Sequence, residues 1–462
     1  MMMPTLQSLI GKRVHFIGIG GAGMSGLARI SLSHAITVSG SDAKDSSVVK
    51  ALQALGATIA TTHEAPNVDG ADLVVYSTAI SPNNPELMRA HELNLLTLTR
   101  AAALSILMSE SKSIAVAGTH GKTTTSSMMA VALQSCGADP SFAIGGTITA
   151  SGSNAHRGAG EIFVAEADES DGSFIEYRPF AAIVTNVEHD HVDFFATPQD
   201  VAQAFRDFAA TIKTDGFLTY CADDAGAKAL ATTVTSCALI SYGTGAECDL
   251  HLDSIELEAM SSRARAIWRG KVVGFIELQV PGHHNMLNAA AVLATGLNLG
   301  FGAAELLTGL ATFRGTGRRF EVIGTVHGIR VIDDYGHHPT EIDVTLQAAR
   351  RFAGDGRLIV IFQPHRFSRT KAFYKEFAKV LDLADRAIVL EVYAASEKPI
   401  QDVTSRLITE AMDHGEYIPN FVEVTDSVID NAQPQDVIIT LGAGDVSSLA
   451  PIIVDGLSRR FG

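Results

Sequence analysis

The chain has 462 residues, too many for one ordinary core, so two or three domains are expected. With 46% hydrophobic and 19% charged residues it reads as globular rather than disordered, and no run of about 18 apolar residues points to a membrane-spanning helix. The formal net charge of −16 excludes a global basic field for nucleic acid, so any anionic substrate must meet local clusters such as Arg318, Arg319, Arg366 and Arg369.

Met1 to Leu9 lack the basic region and apolar run of a secretory signal. The first unit then opens with the strand-like Val14-His15-Phe16-Ile17, a glycine turn, and a helix-like stretch from Met24 to Ser33. Strand candidates Thr37-Val38-Ser39 and Leu73-Val74-Val75-Tyr76 alternate with helix-like segments at Val48 to Leu55 and Glu86 to His91, the rhythm of a parallel, doubly wound sheet. A second unit begins at Ser113-Ile114-Ala115-Val116-Ala117, with Ile162 to Ala165 and Ala181 to Val184 as further buried strands. Between about Asp249 and Val280 the pattern turns to β-rich alternation, which suggests an antiparallel addition, and Asn288 to Leu299 read as a helix. A third unit near Phe320 repeats the α/β rhythm, with strands at Arg357 to Phe362 and Asp436 to Thr440 and a helix at Thr370 to Leu381. Cys136, Cys221, Cys237 and Cys248 lie scattered without C-x-x-C spacing, which fits reduced cytoplasmic thiols rather than a zinc site or disulfides.

The strongest chemical signal is Gly118-Thr119-His120-Gly121-Lys122-Thr123-Thr124, set between a buried strand and a helix. Backbone amides at a helix N-terminus make an anion cradle, the lysine reaches the β and γ phosphates, and the Thr123 hydroxyl can ligate Mg2+. Val116 stands where the full consensus places its first glycine; a Gly/Thr-rich turn with an exposed lysine is the bland alternative. Gly18-x-Gly20-x-x-Gly23 follows the first strand, with Asp42 at the spacing for a ribose hydroxyl, which alone points to NAD or FAD although nothing nearby suggests hydride transfer. Glu166 ends a buried strand, where carboxylates meet ligands, although an ion pair or helix cap is the alternative for an isolated glutamate. Arg366 and Arg369 follow a strand end and can present two guanidinium forks to a carboxylate; a solvated basic face is the alternative.

The phosphate-loop string resembles the variant loop of the Mur ligases and the related folylpolyglutamate synthases. Four further segments follow in the family's order: Glu166 to Asp171, Asn186 to His191, Gly282 to Asn288, and Gly317-Arg318-Arg319-Phe320-Glu321. Within the family, Gly18 to Gly26, Asp333 to Glu341 and Phe362 to Thr370 are similar to the alanine-adding branch. So is Phe205-Arg206-Asp207-Phe208, which has no lysine where several relatives carry a carbamoylated one.

The resemblance implies three α/β domains: a Rossmann-like UDP-binding domain (1–107), a central P-loop ATPase-like parallel-sheet domain with an antiparallel addition (108–319), and a C-terminal Rossmann-like domain (320–462). It implies ATP at Gly118, Thr119, His120, Gly121, Lys122, Thr123 and Thr124, with His284, Asn285 and Asn288 on the adenine side and Arg319, in the interdomain segment, acting on the transferring phosphoryl group. Asp333 or Asp334 would face the ribose, Asp334 being the working assignment. A UDP-sugar would lie on Gly18, Gly20, Gly21, Gly23, Met24, Ser25, Asp42 and Ser77, and alanine on Tyr335, His337, His365, Arg366 and Arg369. Thr123, Glu166 and His191 would hold Mg2+ in two sites, His191 being the odd member because Mg2+ prefers oxygen. Asp168, Glu169 and Asp171 would cap or orient their loop.

Lys122, Glu166, His191, Arg319 and His365 are thus the expected catalytic set for an ATP-driven ligation of L-alanine to UDP-N-acetylmuramate through an acyl phosphate. The expected partners are those small molecules, without nucleic acid or membrane, for a cytoplasmic monomer or homodimer. The rival readings are a sibling ligase that attaches an intact murein tripeptide and a nucleotide sensor that has lost its chemistry.

Overall fold

A computed structural model describes residues 4–395 and 397–462, so the segment read for a secretory signal falls partly outside it, at Met1 to Met3. Three sheets follow one another along the chain. The first is wholly parallel, in the order β3-β2-β1-β4-β5, from β1 (Arg13–Ile17), β2 (Thr37–Ser41), β3 (Thr58–Ala60), β4 (Leu73–Tyr76) and β5 (Leu96–Thr99). β1 sits between β2 and β4, so the glycine turn leaves the sheet where strand order reverses, the usual place for a ligand.

The central sheet has ten strands in the order β15-β14-β13-β12-β11-β10-β6-β9-β7-β8. Its parallel part runs from β12 (Ala238–Gly243) and β11 (Phe217–Cys221) through β10 (Ala181–Val184), β6 (Lys112–Ala117) and β9 (Ile162–Glu166) to β7 (Ser141–Ile148). β13 (Leu250–Leu257) pairs parallel with β12 and then forms the expected antiparallel addition with β14 (Ser262–Trp268) and β15 (Lys271–Leu278), and β8 (Ser153–His156) adds an antiparallel edge strand. The helix expected from Asn288 begins earlier, at His283, because Gly282 with φ +102 starts it and the two histidines enter its first turn.

The third sheet runs β16-β17-β21-β18-β19-β20, from β16 (Glu321–Val326), β17 (Ile329–Asp334), β18 (Leu358–Phe362), β19 (Arg386–Val389), β20 (Gly415–Tyr417) and β21 (Val437–Leu441). Among the described residues only β16 is antiparallel to its neighbour. One hydrophobic cluster runs unbroken from Leu6 to Phe313 through the first two domains, whereas the third holds its own clusters on the two faces of its sheet. The helix Ala22–Ser33 joins the first two: a Cβ on Gly26 would lie 3.2 Å from the Ala155 Cβ of β8.

Candidate active site

β6 is buried from Ser113 to Ala117, and the chain leaves it through Gly118 at φ +138. A Cβ there would lie 2.0 Å from Thr185 Oγ1, so glycine is required. Gly121, at φ +81, starts the helix Lys122–Ser135 without a side-chain cap, which leaves the first helical amides for an anion. The cradle is narrower than the sequence suggested. Thr119 N donates to Asn186 O at 3.1 Å and His120 N to Asn186 Oδ1 at 2.8 Å, so those two amides are already engaged.

Lys122 Nζ donates to Gly118 O at 2.8 Å and to both oxygens of buried Glu169 at 2.9 and 2.7 Å. Burial opposes its charge, but the Glu169 carboxylate outweighs that and holds the ammonium above the usual lysine range. Thr123 Oγ1 donates to Glu166 Oε1 at 3.0 Å, and Gly145 N to Glu166 Oε2 at 2.7 Å. Burial pushes the Glu166 carboxyl up, with the Gly145 amide and Lys122 acting against it.

His191 groups differently from the sequence reading. Its Nε2 lies 3.3 Å from Glu169 Oε1, and potential ligand atoms of Asp168, Glu169 and His191 all fall within 4.8 Å of one another. Glu169 is therefore a lysine partner and a candidate ligand rather than only a loop brace. Asp168 and Asp171 do brace their loop, accepting the amides of Ser170 at 3.2 Å and Ser173 at 3.0 Å.

Beside the phosphate loop lies a cavity of about 150 Å³, walled by Val280, Phe313, Phe320 and Val344 and entered by His120 and Thr124. His284, Asn285, Asn288, Arg319 and Asp334 line it as well. Asp334 accepts the amides of Phe320 and Gly336, each at 2.8 Å, and burial pushes its carboxyl up to about 6. Asp333 turns elsewhere, to Arg318 Nε at 3.1 Å and Thr440 Oγ1 at 2.7 Å. Burial lowers His284 to about 4, so the ring is neutral against this mostly apolar wall.

The larger cleft, about 700 Å³, runs from the glycine turn to the third domain. Gly21, Gly23, Met24 and Ser77 line it, and so do Lys122, Thr123, Glu166 and His191. Asp42 braces the turn: Gly20 N donates to its Oδ2 at 2.9 Å, and a Cβ on Gly20 would lie 2.8 Å from that oxygen. Gly18, Gly20, Ser25 and Asp42 shape the turn without lining the cleft. Arg100, absent from the sequence reading, packs so tightly on Gly23 that a Cβ there would lie 2.8 Å from its Cδ, and its guanidinium borders the cleft.

At the far end Tyr335, His337, His365, Arg366 and Arg369 converge. The arginine forks, expected to be free for a carboxylate, are occupied. Buried Arg369 donates from Nε and Nη2 to Asp190 Oδ1 at 3.0 and 2.8 Å, and Arg366 Nη1 donates to Asp193. Burial would raise the Asp190 carboxyl, but Arg369 overrides it and holds it well below the usual range. Burial keeps His365 uncharged, near 3. His191, Arg318, Phe320 and Arg366 all hold left-handed backbone, at φ +52, +60, +49 and +72. Strain of this kind, about 1–3 kcal/mol per residue, collects at sites where the surroundings over-determine the chain.

Sequence reading missed Asp190, Asn186, Glu188 and Glu341 as partners. Each acts through a contact distant along the chain, such as the 179-residue separation of Asp190 and Arg369.

Three family models cover the chain in order: Mur ligase family, catalytic domain (residues 13–112), Mur ligase middle domain (116–296) and Mur ligase, glutamate ligase domain (318–444). The chain belongs to the Mur ligase family. Among curated relatives, a UDP-N-acetylmuramate–L-alanine ligase of Renibacterium salmoninarum is 50% identical over 96% of both chains. One of Paenarthrobacter aurescens is 49% identical over 98% of both. Among solved structures, the UDP-N-acetylmuramate-alanine ligase of Thermotoga maritima superposes with a TM-score of 0.83 at 29% identity, covering 97% of this chain and all 100% of that one. A murein peptide ligase of Psychrobacter arcticus shares the fold at 24% identity and a TM-score of 0.74, over 97% and 99% of the two chains.

Proposed function

We propose that the protein joins L-alanine to UDP-N-acetylmuramate with ATP, giving UDP-N-acetylmuramoyl-L-alanine, ADP and phosphate for peptidoglycan precursor synthesis in the cytoplasm. The observation that carries this reading is one continuous cleft. Its lining includes the glycine turn at Gly21 and Gly23, the phosphate loop at Lys122 and the arginine–histidine group at Arg366 and His365. The division at 1–107, 108–319 and 320–462 assigns those three groups to three domains.

In this reading the sugar's carboxylate attacks the γ phosphorus and ADP leaves; the alanine amine then attacks the acyl phosphate carbon and phosphate departs. Lys122 and Arg319 neutralise charge on the transferring phosphoryl group, and the helix amides from Gly121 hold the phosphates. The oxygen-rich sets Thr123 with Glu166 and Asp168 with Glu169 fit a hard divalent cation, His191 standing beside the second. Mg2+ bound there would supply further charge neutralisation on the phosphates. Burial holds His365 near 3, so in this reading the amine's proton passes to the departing phosphate, a stronger base, rather than to that ring.

The test is phosphate release from ATP and Mg2+ with UDP-N-acetylmuramate and single amino acids. Release that depends on L-alanine is expected. Its absence would overturn the reading, and release with murein tripeptide alone would favour the sibling activity.

A further inference from the structure

Glu341 occupies the third position of the helix Pro339–Ala353, a place where a glutamate commonly does nothing more than cap the helix start. One of its oxygens does that work. Oε2 accepts the amides of His337 at 3.0 Å and His338 at 3.4 Å and lies 3.2 Å from His337 Nδ1. A capping carboxylate normally leaves its second oxygen in water. Here the side chain is only 10% exposed, and Oε1 faces His120 Nδ1 at 3.4 Å and Arg319 Nη1 at 3.5 Å.

These contacts join three segments. His120 belongs to the phosphate loop, Arg319 to the connection into the third domain, and His337 to the amino-acid end of the cleft. Glu341 itself borders both the adenine-side cavity and the cleft. Burial pushes its carboxyl up, but His337, His120 and Arg319 more than reverse that, so it stays ionised. The neighbouring Thr340 Oγ1 donates to Glu188 Oε2 at 2.8 Å and holds the same junction closed from the other side.

We infer that Glu341 is a positioning residue that couples the nucleotide site to the amino-acid site, its single carboxylate orienting His120 and Arg319 on one side and His337 on the other. A ligand that orders one side lowers the cost of ordering the other, and linkage makes the benefit reciprocal. The inference rests on the ligase reading for the identity of the second ligand. Its test separates the two.

Glutamine also fills the capping role, so Glu341→Gln keeps the helix start while removing the charge and turning the oxygen that faces His120 and Arg319 into an NH2 donor. Binding of a non-hydrolysable ATP analogue is measured by calorimetry with and without saturating L-alanine, without turnover. In the wild type alanine is expected to tighten the analogue by about fivefold or more. In Glu341→Gln that factor falls to about one, and the KM values for ATP and L-alanine rise together while that for the UDP-sugar stays put. His120→Gln cuts the same link from the other side and is expected to raise the KM for L-alanine although His120 lies in the phosphate loop. Wild-type coupling in both variants overturns the inference, as does a shift confined to one KM or shared equally by all three. Failure of the wild type to release phosphate with alanine would instead overturn the ligase reading, and the analogue's affinity in Glu341→Gln would still report on the inference.

Discussion

Lys122→Ala is expected to cost stability as well as activity, and the two losses can be separated. The lysine is the close cation on Glu169, whose side chain is only 1% exposed, and the other basic group beside it is His191 at 3.3 Å. Removing one partner of a buried pair leaves an uncompensated charge, which costs about 3–5 kcal/mol. At about 2–4 °C per kcal/mol for a domain of about 150–250 residues, the melting temperature should fall by about 6–20 °C. Adding Glu169→Gln to Lys122→Ala removes the stranded charge, so the double variant should recover at least half of that loss while remaining inactive. Thermal melts of the wild type, both single variants and the double variant form a cycle whose coupling should be at least about 1.5 kcal/mol, half of the smallest loss expected. An unchanged melting temperature in Lys122→Ala, or a double variant whose loss equals the sum of the singles, would refute the account of Lys122 as half of a buried pair.

Gly118→Ala should abolish nucleotide binding in a fluorescent-nucleotide titration, because its Cβ would meet Thr185 Oγ1 at 2.0 Å in a backbone of φ +138. Asp190→Asn should loosen Arg369 and raise the KM for L-alanine about tenfold or more with a smaller change for ATP; equal changes in both would contradict the placement. His120 is raised to about 9: burial lowers it, but Glu188 and Glu341 more than offset that. Its contribution to stability is therefore complete below its ordinary value of 6.5 and lost as pH rises through about 9, on the order of 3 kcal/mol at most. Urea midpoints at pH 6.5 and 9.5 should differ by more in the wild type than in His120→Asn, and identical slopes would refute it.

Much of the fold was legible because parallel strands buried on both faces announce themselves as short apolar runs, and β6, β9, β10 and β18 all do so. Val116, which seemed to spoil the phosphate motif, lies fully buried in β6 opposite Ile183, so a strand residue is what the position demands. Less legible was β7, whose Gly145 and Gly146 break the apolar pattern even though the Gly145 amide holds Glu166. His337-His338-Pro339-Thr340-Glu341 carried a helix-start signature that was read only as substrate chemistry, and Glu341 was missed with it. The occupied arginines escaped because nothing local to Arg366 or Arg369 names Asp193 or Asp190 as the partner. Asp42 stands at the right spacing for a ribose, but spacing could not tell a ligand contact from a brace on Gly20.

The continuous core from Leu6 to Phe313 stops short of the third domain, which meets the rest through pairs such as Arg369 with Asp190, Arg366 with Asp193 and Thr340 with Glu188. An apolar seam resists opening in any buffer, whereas this joint is made of polar bonds: water and salt compete for the half-exposed Arg366–Asp193 pair and much less for the buried Arg369–Asp190 pair, and an arriving zwitterion can compete for both. Alanine carries the same two charges as that joint, a carboxylate for the arginines and an ammonium for the aspartates. Under the proposed function, alanine would therefore enter by exchange, taking over bonds the protein already makes with itself.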